Sequence, residues 1–232
     1  MKQHIPNVIT LLNLFSGCIA IVFVMKNQLD IAAVFVLIGI VFDFFDGLVA
    51  RALNVKSELG IQLDSLADMV TCGVVPGFTM YQFLQLTVTG SFIPYLGFLV
   101  TLAAAYRLAR FNIDEDQQQS FKGLPTPANA LFIMSLPLIL SYQGNEHINQ
   151  MIMNKWFLLS LIVLGSILMN ANIKLFTLKF KKWDFGGNEV RYIFLFISIV
   201  LLITVKFAAI PPIIIIYILM SVLMNRLSSE KM

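Results

Sequence analysis

Long apolar runs limit what this chain can become. Residues 8–24 read VITLLNLFSGCIAIVFV and residues 31–42 read IAAVFVLIGIVF, each without a charged side chain. Roughly 20 such residues in a helix cross a hydrocarbon core, where every backbone N–H and C=O must be satisfied within the segment. Helices are therefore required. Eight spans are expected, at about 6–25, 30–51, 60–86, 92–113, 126–143, 155–173, 192–210 and 212–226. With 58% of residues hydrophobic and 12% charged, little chain is left for anything outside the bilayer. The expectation is an all-α integral membrane protein with about eight transmembrane helices, residues 1–232 forming one membrane domain with short loops. The first span lacks a small-residue cleavage site and seven more follow, so it reads as a permanent helix rather than a signal peptide.

Basic residues orient the bundle. With a cytoplasmic N-terminus, thirteen of the sixteen Lys and Arg lie on or near the cytoplasmic side, and Lys26, Lys155 and Lys206 lie on the other. Both termini are then cytoplasmic, and the net charge of +3 reflects this bias and an attraction to anionic lipid. No nucleic-acid partner is needed. Cys18 and Cys72 fall within apolar spans without metal-type neighbours and read as free buried thiols. His4 and His147 fall near opposite faces and cannot share a site.

Against this background the segment 43–68, DFFDGLVARALNVKSELGIQLDSLAD, is costly. A carboxylate near the centre of a membrane helix costs roughly 2.5–3.5 kcal/mol even on the lenient scale. Asp43 and Asp46 are spaced i, i+3 on the second span, with Gly47 one turn beyond Asp43. Gly60, Asp64 and Asp68 are spaced i, i+4, i+8 on the third. The intervening ALNVKSEL is short enough to make the two helices antiparallel neighbours, so two carboxylates from each converge. Oxygen-rich clusters of this kind suit Mg²⁺ or Mn²⁺, which complete their shells with substrate phosphates. The two glycines let a ligand approach the backbone, and Arg51 suits a phosphate group. A proton or cation pathway in a transporter is the competing reading, and the residues alone leave both open.

The spacing D-x-x-D-G-x-x-A-R-(x8)-G-x-x-x-D-x-x-x-D, here Asp43, Asp46, Gly47, Ala50, Arg51, Gly60, Asp64 and Asp68, resembles the signature of the CDP-alcohol phosphotransferases. Further text extends the resemblance: PNVITLLNLFSG at 6–17, LDSLADMVTCGVVP at 63–76, RLARFN at 107–112 and FKGLPTPA at 121–128. Within the family these are similar to the membrane-embedded phosphatidylserine synthases, and residues 131–232 add similarity in hydropathy only. The resemblance implies a six-helix core, here with two C-terminal helices added, a homodimer, and a site open to the cytoplasm at the inner membrane. It implies that Asp43, Asp46, Asp64 and Asp68 hold one or two divalent ions. Asp43, Gly47, Ala50, Arg51, Gly60 and Asp64 would surround the CDP moiety, with Asp68 also the general base. CDP-diacylglycerol would be the donor and L-serine the acceptor, although glycerol phosphate and inositol phosphate serve other members.

Acceptor recognition is less defined. Arg107 and Arg110, three apart near the end of the fourth span, are candidates for a carboxylate or lipid-phosphate clamp; the alternative is snorkelling to headgroups. Asn13, with Thr10, is a candidate headgroup contact, against the alternative of interhelical hydrogen bonding. The segment 174–191, KLFTLKFKKWDFGGNEVR, reads as an interfacial stretch holding anionic lipid, and Pro211-Pro212 as a tight turn between the last two spans.

Overall fold

The computed structural model describes residues 4–55, 57–88, 90–113, 122–175 and 188–229, with side chains to 225 in the last helix. Lys2, Lys56, Phe121, most of the 174–191 stretch, the side chain of Arg226 and Lys231 lie outside the described residues.

The described residues are helical, with one isolated bridge pairing Lys122 and Lys174. Helix α1 (His4–Met25) and α2 (Leu29–Ala52) form an extensive antiparallel hairpin. Asn27 closes α1 with a positive φ of 56°, Gln28 N–H donating to Phe23 O and Asn27 N–H to Val24 O, both at 2.9 Å. These are the paired bonds of a Schellman cap with asparagine in the left-handed position. Asn54 (φ 52°) ends α2 in the same way, with Val55 N–H on Ala50 O and Asn54 N–H on Arg51 O. Ser57 then caps α3 (Glu58–Asp68), its Oγ accepting from Gly60 N–H at 3.0 Å.

The expected third span is not one regular helix. After α3 the chain passes through a π-helical turn, Met69–Val74, into α4 (Val75–Thr87). Thr71 in that turn wedges between α1 and α2: a Cβ on Gly17 would sit 2.5 Å from Thr71 Oγ1, and one on Gly39 2.7 Å from Thr71 Cγ2. Nor are α2 and α3 close neighbours. Each leans on α1, with little backbone contact between the two, so their carboxylates meet across a gap rather than along a packed seam.

A 3₁₀ turn (Ile93–Phe98) leads into α5 (Leu99–Ile113). Helix α6 (Thr126–Tyr142) packs on α2, while α8 (Lys155–Asn170), preceded by the short α7 (Glu146–Ile152), packs on α5. The loop before α6 is tied to the end of α8 by Gly123 N–H on Ile173 O and Leu124 N–H on Leu168 O, both 2.9 Å. Helices α9 (Glu189–Val205) and α10 (Ile210–Ser229) complete the fold. They fold back on one another, since the rings of Phe194 and Tyr217 lie 5.7 Å apart. The turn falls at Lys206–Ala209, where Lys206 has φ 47° and Gln143 satisfies both sides: its Nε2 donates to Val205 O and its Oε1 accepts from Ala208 N–H. Pro211 and Pro212 instead lie in the first turn of α10, where missing N–H groups cost nothing.

Among the described residues, four helical stretches are long and apolar enough to cross a membrane by length and composition alone, or five if the bent α7–α8 pair is one span. That is fewer than the expected eight. The π-helical turn divides the third span, α6 has only 17 residues, and Glu189–Asn225 counts as one stretch of 37 although it doubles back. Many large apolar side chains face outward, including Phe15, Phe44, Phe196 and Ile203. Outward apolar surface on this scale is what lipid covers, and the chain is a membrane protein. Cys18 is on that outer surface, whereas Cys72 is buried as expected.

Candidate active site

Asp43 from α2 and Asp64 and Asp68 from α3 come together. One carboxylate oxygen of each lies within 4.8 Å of the others. Asp64 Oδ1 is buried and has no hydrogen-bond partner among the described residues. At an effective dielectric near 20, two ionised carboxylates this close repel by roughly 3–4 kcal/mol. A cation or a bound proton must offset that, and an all-oxygen donor set with an unsatisfied lone pair fits a hard divalent cation.

Helix α1 braces the cluster. Thr10 Oγ1 donates to Asp46 Oδ2 at 2.5 Å, and Asn13 Nδ2 donates to Asp68 Oδ1 at 3.2 Å. Thr71 from the π-helical turn donates to Asn13 O at 3.2 Å. Asp46 is thus turned toward α1 and lies outside the set of three whose oxygens fall within 4.8 Å of one another. Asn13 is fully buried, so it meets a carboxylate rather than a lipid headgroup. Thr10 and Asn13 thus both make interhelical hydrogen bonds to the aspartates.

The glycines differ. A Cβ on Gly47 would meet no atom of the described residues within 4 Å, so the space beside it is open among them. One on Gly60 would lie 3.0 Å from Ser57 Oγ and 3.2 Å from Asn7 Oδ1. Ala50 is half-buried and Arg51 exposed in the last turn of α2. Arg107 and Arg110 do not form a pair. Arg107 is buried with Nη1 donating to Thr126 Oγ1 at 3.2 Å, whereas Arg110 is exposed beside Tyr106 and Ile113. Arg107 nevertheless lies close enough to Asp68 for their charges to interact. The sequence reading does not single out Thr126, nor Asn129, Ser166 and Asn170 on α6 and α8. Their only signal is a lone polar side chain in an apolar helix.

An acidic cluster on two membrane helices, braced by a third and open beside a glycine, defines a membrane enzyme centre suited to phosphate chemistry. The chain belongs to the CDP-alcohol phosphatidyltransferase family, whose model matches residues 3–224. The match runs well past residue 130, so the C-terminal half belongs to the family pattern too, and the transporter reading falls away. Curated relatives include the CDP-diacylglycerol–serine O-phosphatidyltransferase of Bacillus subtilis (strain 168), 35% identical over 147 residues, covering 62% of this chain and 78% of the relative. The protein of that name from Helicobacter pylori (strain 26695) is 34% identical over 181 residues, 77% of this chain and 74% of its own length. That of Saccharomyces cerevisiae is 36% identical over 149 residues, 57% of this chain and 53% of its own.

Proposed function

We propose that this protein transfers the phosphatidyl group of CDP-diacylglycerol to the hydroxyl of L-serine, giving phosphatidylserine and CMP. The convergence of Asp43, Asp64 and Asp68 within an intact eight-position signature carries the reading, and the names of the relatives supply the donor and acceptor. Residues 1–232 act as one membrane domain. The thirteen-to-three distribution of basic residues supports a site facing the cytoplasm at the inner membrane, and the family resemblance supports a homodimer.

A divalent ion, Mg²⁺ or Mn²⁺, held by Asp43, Asp64 and Asp68 with Asp46 as the fourth carboxylate, would neutralise pyrophosphate charge and make the phosphorus more electrophilic. The chain does the rest. Gly47 and Gly60 let the cytidine nucleotide approach the helices, with Ala50 beside it and Arg51 at its phosphates. The serine oxygen bonds to the phosphorus bearing diacylglycerol, the bond from that phosphorus to CMP breaks, and CMP leaves as the anion. Asp68 accepts the serine proton. Asn13 Nδ2 donates to Asp68 Oδ1 and so orients the carboxylate for this work.

The direct test is purified protein in detergent with CDP-diacylglycerol, Mg²⁺ or Mn²⁺, and a panel of alcohols. CMP release that depends on serine is expected; release with glycerol phosphate or inositol phosphate instead would replace the acceptor.

Two further results are expected. Gly47→Ala adds a methyl that meets no protein atom, and in a helix interior this change normally stabilises by about 1 kcal/mol. Its melting temperature should hold or rise while CDP-diacylglycerol binding falls, because the open space is the nucleotide's. A stable variant that binds normally would show that the glycine does not face substrate. In Gly60→Ala the methyl must also displace Ser57 Oγ and Asn7 Oδ1, so a stability loss is expected there along with weaker binding. The second concerns the brace. Asn13→Leu removes a charge-assisted bond, worth roughly 1.5–3 kcal/mol, from the proposed base. A fall in kcat of about tenfold or more, with the CDP-diacylglycerol KM little changed, is the signature of a positioning residue; equal loss in both would mean general unfolding.

A further inference from the structure

Buried polar atoms are nearly always satisfied, and leaving one unpaired costs roughly 1–3 kcal/mol. Among the described residues, four on the mutually packed helices α5, α6 and α8 have a buried atom with no hydrogen-bond partner: Arg107 Nε, Asn129 Nδ2, Ser166 Oγ and Asn170 Oδ1. Arg107 is 8% exposed and Asn129 4%. Further contacts tie them to one junction. Arg107 Nη1 reaches Thr126, one turn from Asn129 on α6. Asn129 lies against Gly165, where a Cβ would come within 2.5 Å of its Oδ1, and Gly165 adjoins Ser166. Asn170 Nδ2 donates to Ser166 O and to Ala103 O, one turn before Arg107 on α5.

The unmet groups sort by chemistry. Arg107 Nε and Asn129 Nδ2 are donors, Asn170 Oδ1 is an acceptor, and the Ser166 hydroxyl accepts as well as donates. A free α-amino acid carries the complement: a carboxylate that needs donors and an ammonium that needs acceptors. A bare phosphate would leave the Asn170 oxygen unmet. A simple alcohol or amine would leave the charged donor Arg107 Nε unmet, a cost that a membrane interior magnifies. Arg107 also feels the charge of Asp68, so the junction is within electrostatic reach of the proposed base.

We infer that the α5–α6–α8 junction is the recognition site for the amino-acid part of the acceptor, with Arg107 and Asn129 on its carboxylate and Ser166 and Asn170 on its ammonium. This rests on the phosphatidyl-transfer reading and adds what selects the acceptor. It assigns specificity to Asn129, Ser166 and Asn170, in a part of the chain far from the aspartate signature.

Two serine fragments test it as inhibitors of serine-dependent CMP release: 3-hydroxypropionate, which keeps the carboxylate, and ethanolamine, which keeps the ammonium. Asn129→Ala is expected to raise the serine KM about tenfold and to weaken inhibition by 3-hydroxypropionate similarly, leaving that by ethanolamine unchanged. Ser166→Ala should give the reverse pattern, and because it removes one oxygen from a small side chain it carries the test should Asn129→Ala fail to fold. The KM for CDP-diacylglycerol should hold in both. Unchanged serine KM with unchanged inhibition would overturn the assignment, as the four unmet atoms would then be met by water alone. So would an equal rise in both KM values, the mark of a structural role. Wild-type protein that uses another alcohol and not serine would overturn the underlying reading instead, and is recognised before any variant is made.

Discussion

Asp68→Asn is expected to lower kcat with serine by about 10²–10⁴, the usual worth of a positioned general base. The substitution is close to isosteric, and the new side-chain oxygen can still accept from Asn13 Nδ2, so the local geometry should survive. What disappears is the capacity to take a proton. CDP-diacylglycerol binding in the presence of Mn²⁺ should persist, because Asp43, Asp64, Asp46 and the nucleotide contacts remain. Turnover and binding measured on the same preparation separate the possibilities. Near-normal turnover would remove Asp68 from the base role. Loss of both would make it a structural ligand in the cluster, with the base to be sought elsewhere.

Stripping divalent metal with EDTA should abolish turnover, and Mg²⁺ or Mn²⁺ should restore it. Three carboxylates within 4.8 Å repel one another by several kcal/mol when ionised, and each also repels the donor pyrophosphate. Without a cation, the groups that shape the site oppose substrate entry. A readout independent of activity is available. A ligand bound by the folded state alone stabilises by about 2.7 kcal/mol at a concentration 100-fold above its Kd, so Mn²⁺ without substrate should raise the melting temperature. Asp43→Asn and Asp64→Asn should each reduce that rise and weaken CDP-diacylglycerol binding together. Full turnover in metal-free buffer, or a melting temperature blind to Mn²⁺ in the wild-type protein, would refute the metal role.

What the sequence determined rests on short-range rules. A run of apolar residues makes a membrane helix because the bilayer leaves its backbone no other partner, so α1 and α2 fall close to their expected limits. The order Asp43, Asp46, Gly47, Ala50, Arg51 on one helix and Gly60, Asp64, Asp68 on the next is a matter of helical spacing, and it identifies the family and the position of the acidic cluster without coordinates. Asn54 and Ser57, which end α2 and start α3, are likewise local devices.

The tertiary structure decided everything that depends on partners far apart in the chain. Which three aspartates gather and which turns aside follows from α1, whose Thr10 and Asn13 bond to residues 36 and 55 positions away. Spacing within α2 and α3 carries no information about a third helix. The π-helical turn exists where Thr71 fits between Gly17 and Gly39, and α3 therefore leans on α1 instead of pairing with α2. The last turn lies at Lys206–Ala209 rather than at Pro211-Pro212 because Gln143, over 60 residues upstream, supplies the hydrogen bonds that a broken membrane helix lacks. Arg107 and Arg110 look equivalent along α5, yet one is buried toward Asp68 and the other is exposed, since only the packing of α6 and α8 distinguishes two faces of that helix. A lone asparagine or serine in an apolar helix reads the same whether it bonds a neighbour or waits for a ligand; a buried polar atom left unmet among the described residues is what sets Asn129, Ser166 and Asn170 apart.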